Sequence, residues 1–259
     1  MRKSLLLIAL ISSLAYTACS AGDPSIPPLP PNANPNGGGG SDSSPRNATV
    51  KGKIAFEGTA PERKKLPTSA DPGCMNSGLL DESVVVSDGG LENVIIYVSG
   101  GPGLEGKTFA PVKEVATLDQ MGCHYIPHAL ALQTNQKLKI MNSDMVAHNI
   151  HGFAEVNPQF NEPQAHKGDE TEKTFTKEEI MFPIRCDVHN WMNAFVGVFK
   201  TPLHTVSGKG GSFELKMPAG MYEFTAIHEK LGKQTKMVEI ADGGSVDLNF
   251  SFKNDGKGN

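Results

Sequence analysis

The chain has 259 residues, 38% of them hydrophobic and 20% charged, the composition of a globular protein that buries a core. Its 24 bases against 28 acids and net charge of -4 exclude the basic footprint of a nucleic-acid binder. Four cysteines are too few for a disulfide-built scaffold, and no apolar run reaches the ~18 residues that span a bilayer.

Residues 1–19 run Met-Arg-Lys, an apolar stretch from Leu5 to Leu14, then Ala15-Tyr-Thr-Ala-Cys19, the three-part organisation of a bacterial export signal. The end Thr17-Ala18-Cys19-Ser20 resembles a lipoprotein signal, which implies acylation of Cys19 and a membrane anchor, with Tyr16 where an aliphatic residue is usual. The expected location is the cell envelope or periplasm. Residues 20–48 follow as a tether, rich in proline and carrying the Gly37–Gly40 run, with too few aliphatic residues to offset chain entropy.

Beyond Thr49 no stretch shows helical apolar spacing, while short period-two runs bounded by Gly, Pro, Asn and Asp recur. They lie at 50–56, 84–86, 93–98, 129–133, 137–141, 181–186, 194–199, 212–217, 221–227, 237–240 and 246–252. The expectation is an all-β chain, and about 210 residues is enough for two sandwiches. The run on either side of Pro218-Ala219-Gly220 alternates cleanly and predicts a hairpin. Its Gly211-Ser-Phe-Glu-Leu215 and Pro218-Ala-Gly-Met-Tyr222 resemble strands of the carboxypeptidase-regulatory, transthyretin-like sandwich, as do Val50–Gly58 and Leu91–Val98. The resemblance implies a small sandwich made from 49–106 with 201–253, a second domain inserted at 107–200, and a tail at 254–259. A sequential arrangement of the two units is the competing topology.

Two segments inside 107–200 carry chemistry. One is Asn142-Ser-Asp-Met-Val-Ala-His148-Asn-Ile-His151; the other, Cys186-Asp-Val-His189-Asn-Trp-Met192, opens a strand. A thiolate, two imidazoles and a thioether form a soft, mixed donor set of the kind that suits copper in both its valences. These segments resemble the cupredoxins, closest to the amicyanin type, over about a third of the chain. The resemblance implies a Greek-key sandwich holding one type 1 copper on His148, Cys186, His189 and Met192, with Asn149 bracing the site and His151 a neighbour. It also implies that His189 is the imidazole at the solvent edge and the exit for electrons. Ala147 and Asn190 stand where that family has prolines, departures that bear on loop stiffness. Trp191 lies between two of the ligands and is read either as a cover that excludes water or as ordinary packing.

With Cys19 spent on lipid, three thiols remain, and an odd number cannot all pair after export. If Cys186 holds copper, Cys74 and Cys123 are free to bridge. His124 and His128 beside Cys123 could form a second metal site, but read more simply as turn and surface residues. His166, His204 and His228 lack partners at metal spacing, and Glu155, Asp169, Glu170 and Glu172 read as a solvated loop. Multicopper, binuclear-copper, haem and Cys/His hydrolase signatures are missing. The function expected is a non-enzymatic, exported carrier of single electrons between protein redox partners. The alternative is a non-redox envelope lipoprotein whose regulatory-like sandwich recognises a glycan or protein, with a structural zinc or copper site.

Overall fold

The computed structural model describes residues 44–75 and 77–254; the export signal, Cys19 and most of the tether lie outside them. Strands dominate, and four sheets pack as two sandwiches with separate cores. In the outer sandwich the first strand, Ala48–Glu57, turns Ala48, Val50, Ile54 and Phe56 inward, as a half-buried strand must. It pairs antiparallel with Ser212–Met217 and parallel with Ser245–Asp247 and Phe250–Lys253. The facing sheet has the order His204–Val206, Ile95–Gly100, Gly220–His228, Gly232–Ile240.

The run around Pro218–Gly220 is not a hairpin. Ser212–Met217 pairs with the first strand, whereas Gly220–His228 pairs with Ile95–Gly100 and Gly232–Ile240 in the opposite sheet. Phe213, Leu215 and Met217 therefore meet Tyr222, Phe224 and Ala226 across one core. Alternation reports which face of a strand is buried, not which strand lies beside it, so an arch between sheets and a hairpin give the same pattern. The hairpin in this region is the next one, Gly220–His228 with Gly232–Ile240.

The outer sandwich's last strand before the insertion ends at Gly100, Leu104 and Phe109 still pack on its core, and the chain rejoins that core at Leu203, just before strand His204–Val206. Between them, one sheet runs Phe160–Gln164, His148–Gly152, Glu179–Arg185, Asn193–Phe199, Ala129–Gln133, and the other Glu170–Thr174, Lys137–Asn142, Ala116–Gln120, Tyr125–Ile126. Leu118, Leu138, Ile140, Ile150, Ile184 and Val196 fill the space between. Glu170 and Glu172, read from sequence as part of a solvated loop, belong to an edge strand whose exposed side chains pair with Lys139 and Lys137. Charged side chains conceal such a strand in the sequence and protect its open edge.

A second excursion starts from the first strand itself. Residues 58–83, grouped by the sequence with the outer sandwich, cross to the inner one, where Cys74 is buried in the core and Leu79 packs against it. The sandwiches themselves meet where Ile95 and Tyr97 pack on Ala129 and Phe199, with the Tyr97 and Phe199 rings stacked at 4.5 Å.

His204 is 1% exposed at this junction. Burial, aided by the charge of Arg46, pushes its pKa down to about 3. A base whose folded pKa is depressed contributes stability above its unfolded value near 6.5 that is lost as pH falls toward 3. The loss approaches about 1.4 kcal/mol per pH unit. His204→Phe should flatten this acid limb in denaturant titrations between pH 6.5 and 4; an unchanged slope would refute the assignment.

Candidate metal centre

The site sits at one end of the inner sandwich, where three backbone segments converge. The first is the turn before strand His148–Gly152. Asn142 shapes it, accepting the Asp144 N–H on Oδ1 at 2.9 Å and donating from Nδ2 to the Val146 carbonyl at 3.0 Å. This is the Asx turn that short amide side chains favour. It aims the Asp144 carboxylate at three donors: the N–H groups of Gly122 and Cys123 at 2.6 and 2.8 Å, and His148 Nε2–H at 3.0 Å.

The second segment is the loop Cys186–Met192, closed by Cys186 N–H to the Met192 carbonyl at 3.2 Å and Met192 N–H to the His189 carbonyl at 2.9 Å. Asn149 braces it from the neighbouring strand: its Oδ1 accepts Asp187 N–H at 2.6 Å, and its Nδ2 donates to the Asp187 carboxylate at 2.9 Å. The third segment is the excursion. Cys74 and Cys123 form a disulfide, and Asp71, three residues before Cys74, accepts His189 Nε2–H at 3.0 Å. Gly73 allows this approach, since a Cβ there would lie 2.1 Å from Val146 Cγ1.

Both imidazoles thus give their Nε2–H to a carboxylate, which leaves each Nδ1 with a lone pair. These two Nδ1 atoms face each other at 3.0 Å, and Cys186 Sγ lies 4.0 Å from His148 Nδ1. The three donor atoms lie within 4.8 Å of one another and belong to residues each about 2% exposed. Three electron-pair donors converging in a dry site need a cation among them. Metal bonds of about 2.0 Å to nitrogen and 2.3 Å to sulfur give donor separations of this size, so the residues fit a metal ion. Met192 is buried in the same core. The donor set is the His, His, Cys arrangement, with a Met at hand, that suits copper.

The electrostatics prepare the sulfur. Burial opposes ionisation of Cys186, but His148 and the backbone N–H groups of Asn149, His189 and Val188 outweigh it and pull the thiol below its ordinary pKa. Burial likewise opposes charge on His148, and Asp144 with Cys186 overcomes it, raising that imidazole to about 9. In the metal-free protein a proton therefore holds the place of the cation, and metal uptake must displace it.

His148, Cys186 and His189 are brought together, Met192 and Asn149 are beside them, and the Trp191 ring lies 5.0 Å from the His189 ring with Nε1–H bound to the Cys123 carbonyl at 3.0 Å. His151 turns away, stacking on Phe153 and pairing with Asp187. His189 does not lie at the solvent edge: it is 2% exposed, because Asp71 and the disulfide cover the side that the sequence left open, Cys74 Sγ lying 3.9 Å from Nε2. Asp144 and Asp71 are site residues beyond those that the sequence pattern picks out. Asp144 was four residues before His148 in plain view; Asp71 is 118 residues from its partner, and only the nearby Cys74 hinted at it.

No family model and no curated protein matches this chain. Among solved structures it is similar to a mutant of amicyanin in its Cu(I) form, with 21% identity over 32% of this chain and 81% of that one at a TM-score of 0.30. A purple cupredoxin from Nitrosopumilus maritimus shows 24% identity over 32% of this chain and 98% of that one, TM-score 0.28. A Cu-containing nitrite reductase from Thermus scotoductus SA-01 shows 18% identity over 39% of this chain and 25% of that one, TM-score 0.31.

Proposed function

We propose that this chain is an exported type 1 copper protein that passes single electrons between protein partners, held to a membrane by a lipid on Cys19 and without catalysis of its own. The observation that carries the reading is the convergence of Cys186 Sγ with the Nδ1 atoms of His148 and His189. Bound copper would supply the one-electron change between Cu(II) and Cu(I), for which thiolate, thioether and imidazole are apt ligands. The chain's part is to keep those ligands still. Asp144 and Asp71 fix both imidazoles from behind, as outer partners of metal-binding histidines do, Asn149 fixes the Cys186 loop, and the surrounding core excludes water.

Exposed Met75, Met145 and Val188 flank Cys74, the His148 turn and His189. These exposed apolar side chains are where a protein partner would seat, and Trp191, partly exposed, puts an aromatic ring 5.0 Å from the His189 ring. Stepwise reductive titration of the copper-loaded protein tests the assignment. One electron per chain should be taken up reversibly with no change in fold, and a chain that accepts none is not a carrier.

A further inference from the structure

Each imidazole of the metal site gives its outer N–H to a carboxylate. His148 Nε2–H reaches Asp144 Oδ2 and His189 Nε2–H reaches Asp71 Oδ2, both at 3.0 Å. The other oxygens of these groups also accept from N–H donors: Gly122 on Asp144 Oδ1 at 2.6 Å and Gly73 on Asp71 Oδ1 at 2.7 Å. Both oxygens of each carboxyl group therefore accept, which is the bonding of the ionised, acceptor-only form.

Three negative charges thus surround the place of the metal: the Cys186 thiolate, which metal binding requires, and two carboxylates, each one imidazole ring away. The histidine side chains are 3% exposed or less, that of Asp144 is 12% exposed and that of Asp71 is 32% exposed. Salt screens charges so placed much less than charges in open water. With Cu(II) the cluster carries one net negative charge, and with Cu(I) it carries two. Neutral groups behind the rings would give one positive charge and none. Adding an electron to a buried cluster that is already negative is costly, so the carboxylates oppose reduction. They act in the same sense through the rings, because a carboxylate on the far N–H makes an imidazole a stronger donor, and the softer Cu(I) gains less from that than Cu(II) does.

We propose that Asp144 and Asp71 set the valence preference of this site, biasing bound copper toward Cu(II), so that the chain works at low potential and takes its electrons from strongly reducing partners. This deepens the electron-carrier reading and rests on it. Asp144, the less exposed of the two, has the larger share.

The test is redox titration of the copper-loaded full chain, with separate chelator competition for Cu(II) and Cu(I). Asp71→Asn removes the charge and keeps a side chain that can accept the His189 N–H. It should lower the preference for Cu(II) over Cu(I) about tenfold or more, a rise in potential of ~59 mV or more. Chelator competition should place that loss on Cu(II), with Cu(I) held nearly as tightly as in wild type. A residue that merely braced the site would weaken both valences alike and leave the potential in place. Asp71→Glu, which keeps the charge, should stay closer to wild type than Asp71→Asn, and Asp144→Asn should move the potential further. Asp144 also fixes its turn through Gly122 and Cys123, so the Asp71 pair carries the test where Asp144→Asn disturbs folding. The Asp71→Asn shift should persist in 1 M salt, where exposed charges are screened beyond ~3 Å. An unmoved or lowered potential in Asp71→Asn, equal losses for the two valences, or a shift that salt abolishes overturns the proposal. A chain with a reversible blue couple that fails these tests keeps the carrier reading without this one; a chain with no one-electron couple loses both.

Discussion

Cys186→Ser should abolish the visible colour expected of the copper-loaded protein and weaken Cu(I) binding by orders of magnitude, while Met192→Leu should keep the colour and move the potential. The two substitutions separate ligands of different weight. Cys186 is the only unpaired cysteine among the described residues, and its sulfur accepts the His189 N–H at 3.4 Å while lying 4.0 Å from His148 Nδ1. A serine oxygen there is a harder donor, unsuited to Cu(I), and cannot supply the thiolate whose electrons give the colour. Under the proposed reading Met192 would be the weak fourth donor, tuning the metal more than holding it. Visible spectra and chelator competition on both variants check this. Colour retained in Cys186→Ser would show that another residue supplies the sulfur.

The second large effect concerns the cover. Replacing Cys74 and Cys123 together by alanine should lower folding stability by about 4 kcal/mol, the chain-entropy value for opening a loop of about 50 residues; the bridged cysteines are 49 apart. It should also speed removal of copper by an external chelator, because the bridge holds Asp71 against His189. Asp71→Asn is the matched control. It weakens one hydrogen bond to a partly exposed carboxylate and leaves the cover tied down, so its stability loss should be small beside that of the double alanine variant. Urea midpoints and stopped-flow chelation read both quantities. Equal copper-release rates in wild type and the double alanine variant would show that the excursion does not guard the site.

Much of this architecture could be read from residue order, and the exceptions share a cause. Period-two burial located Ala48–Glu57, Ala129–Gln133, Asn193–Phe199 and Ser212–Met217 to within two residues, because a strand with one buried face must alternate. Phe160–Gln164 and Glu170–Thr174 alternate in burial too, but largely between half-buried and exposed polar side chains, since they lie at sheet edges. The arch at Pro218–Gly220 carries the same alternation as a hairpin, because partner choice is a property of two strands and alternation a property of one.

The same division holds at the site. His148, Cys186, His189 and Met192 stood out because their donor chemistry and loop spacing are local. The burial of His189 was invisible, because it depends on Asp71 and Cys74 arriving from another part of the chain. Asp144 lies between these cases: it is near His148 in sequence, yet a lone Asp in a turn gives no sign that it will reach both an imidazole and the backbone of Cys123.

The decisive measurement is the visible and EPR spectrum of the purified chain after addition of one equivalent of Cu(II). Thiolate ligation by Cys186 in a His, His, Cys site predicts an intense blue or violet band that bleaches on one-electron reduction and returns on oxidation. A pale adduct with the spectrum of copper bound only through nitrogen and oxygen, in a protein that holds zinc tightly, would contradict it.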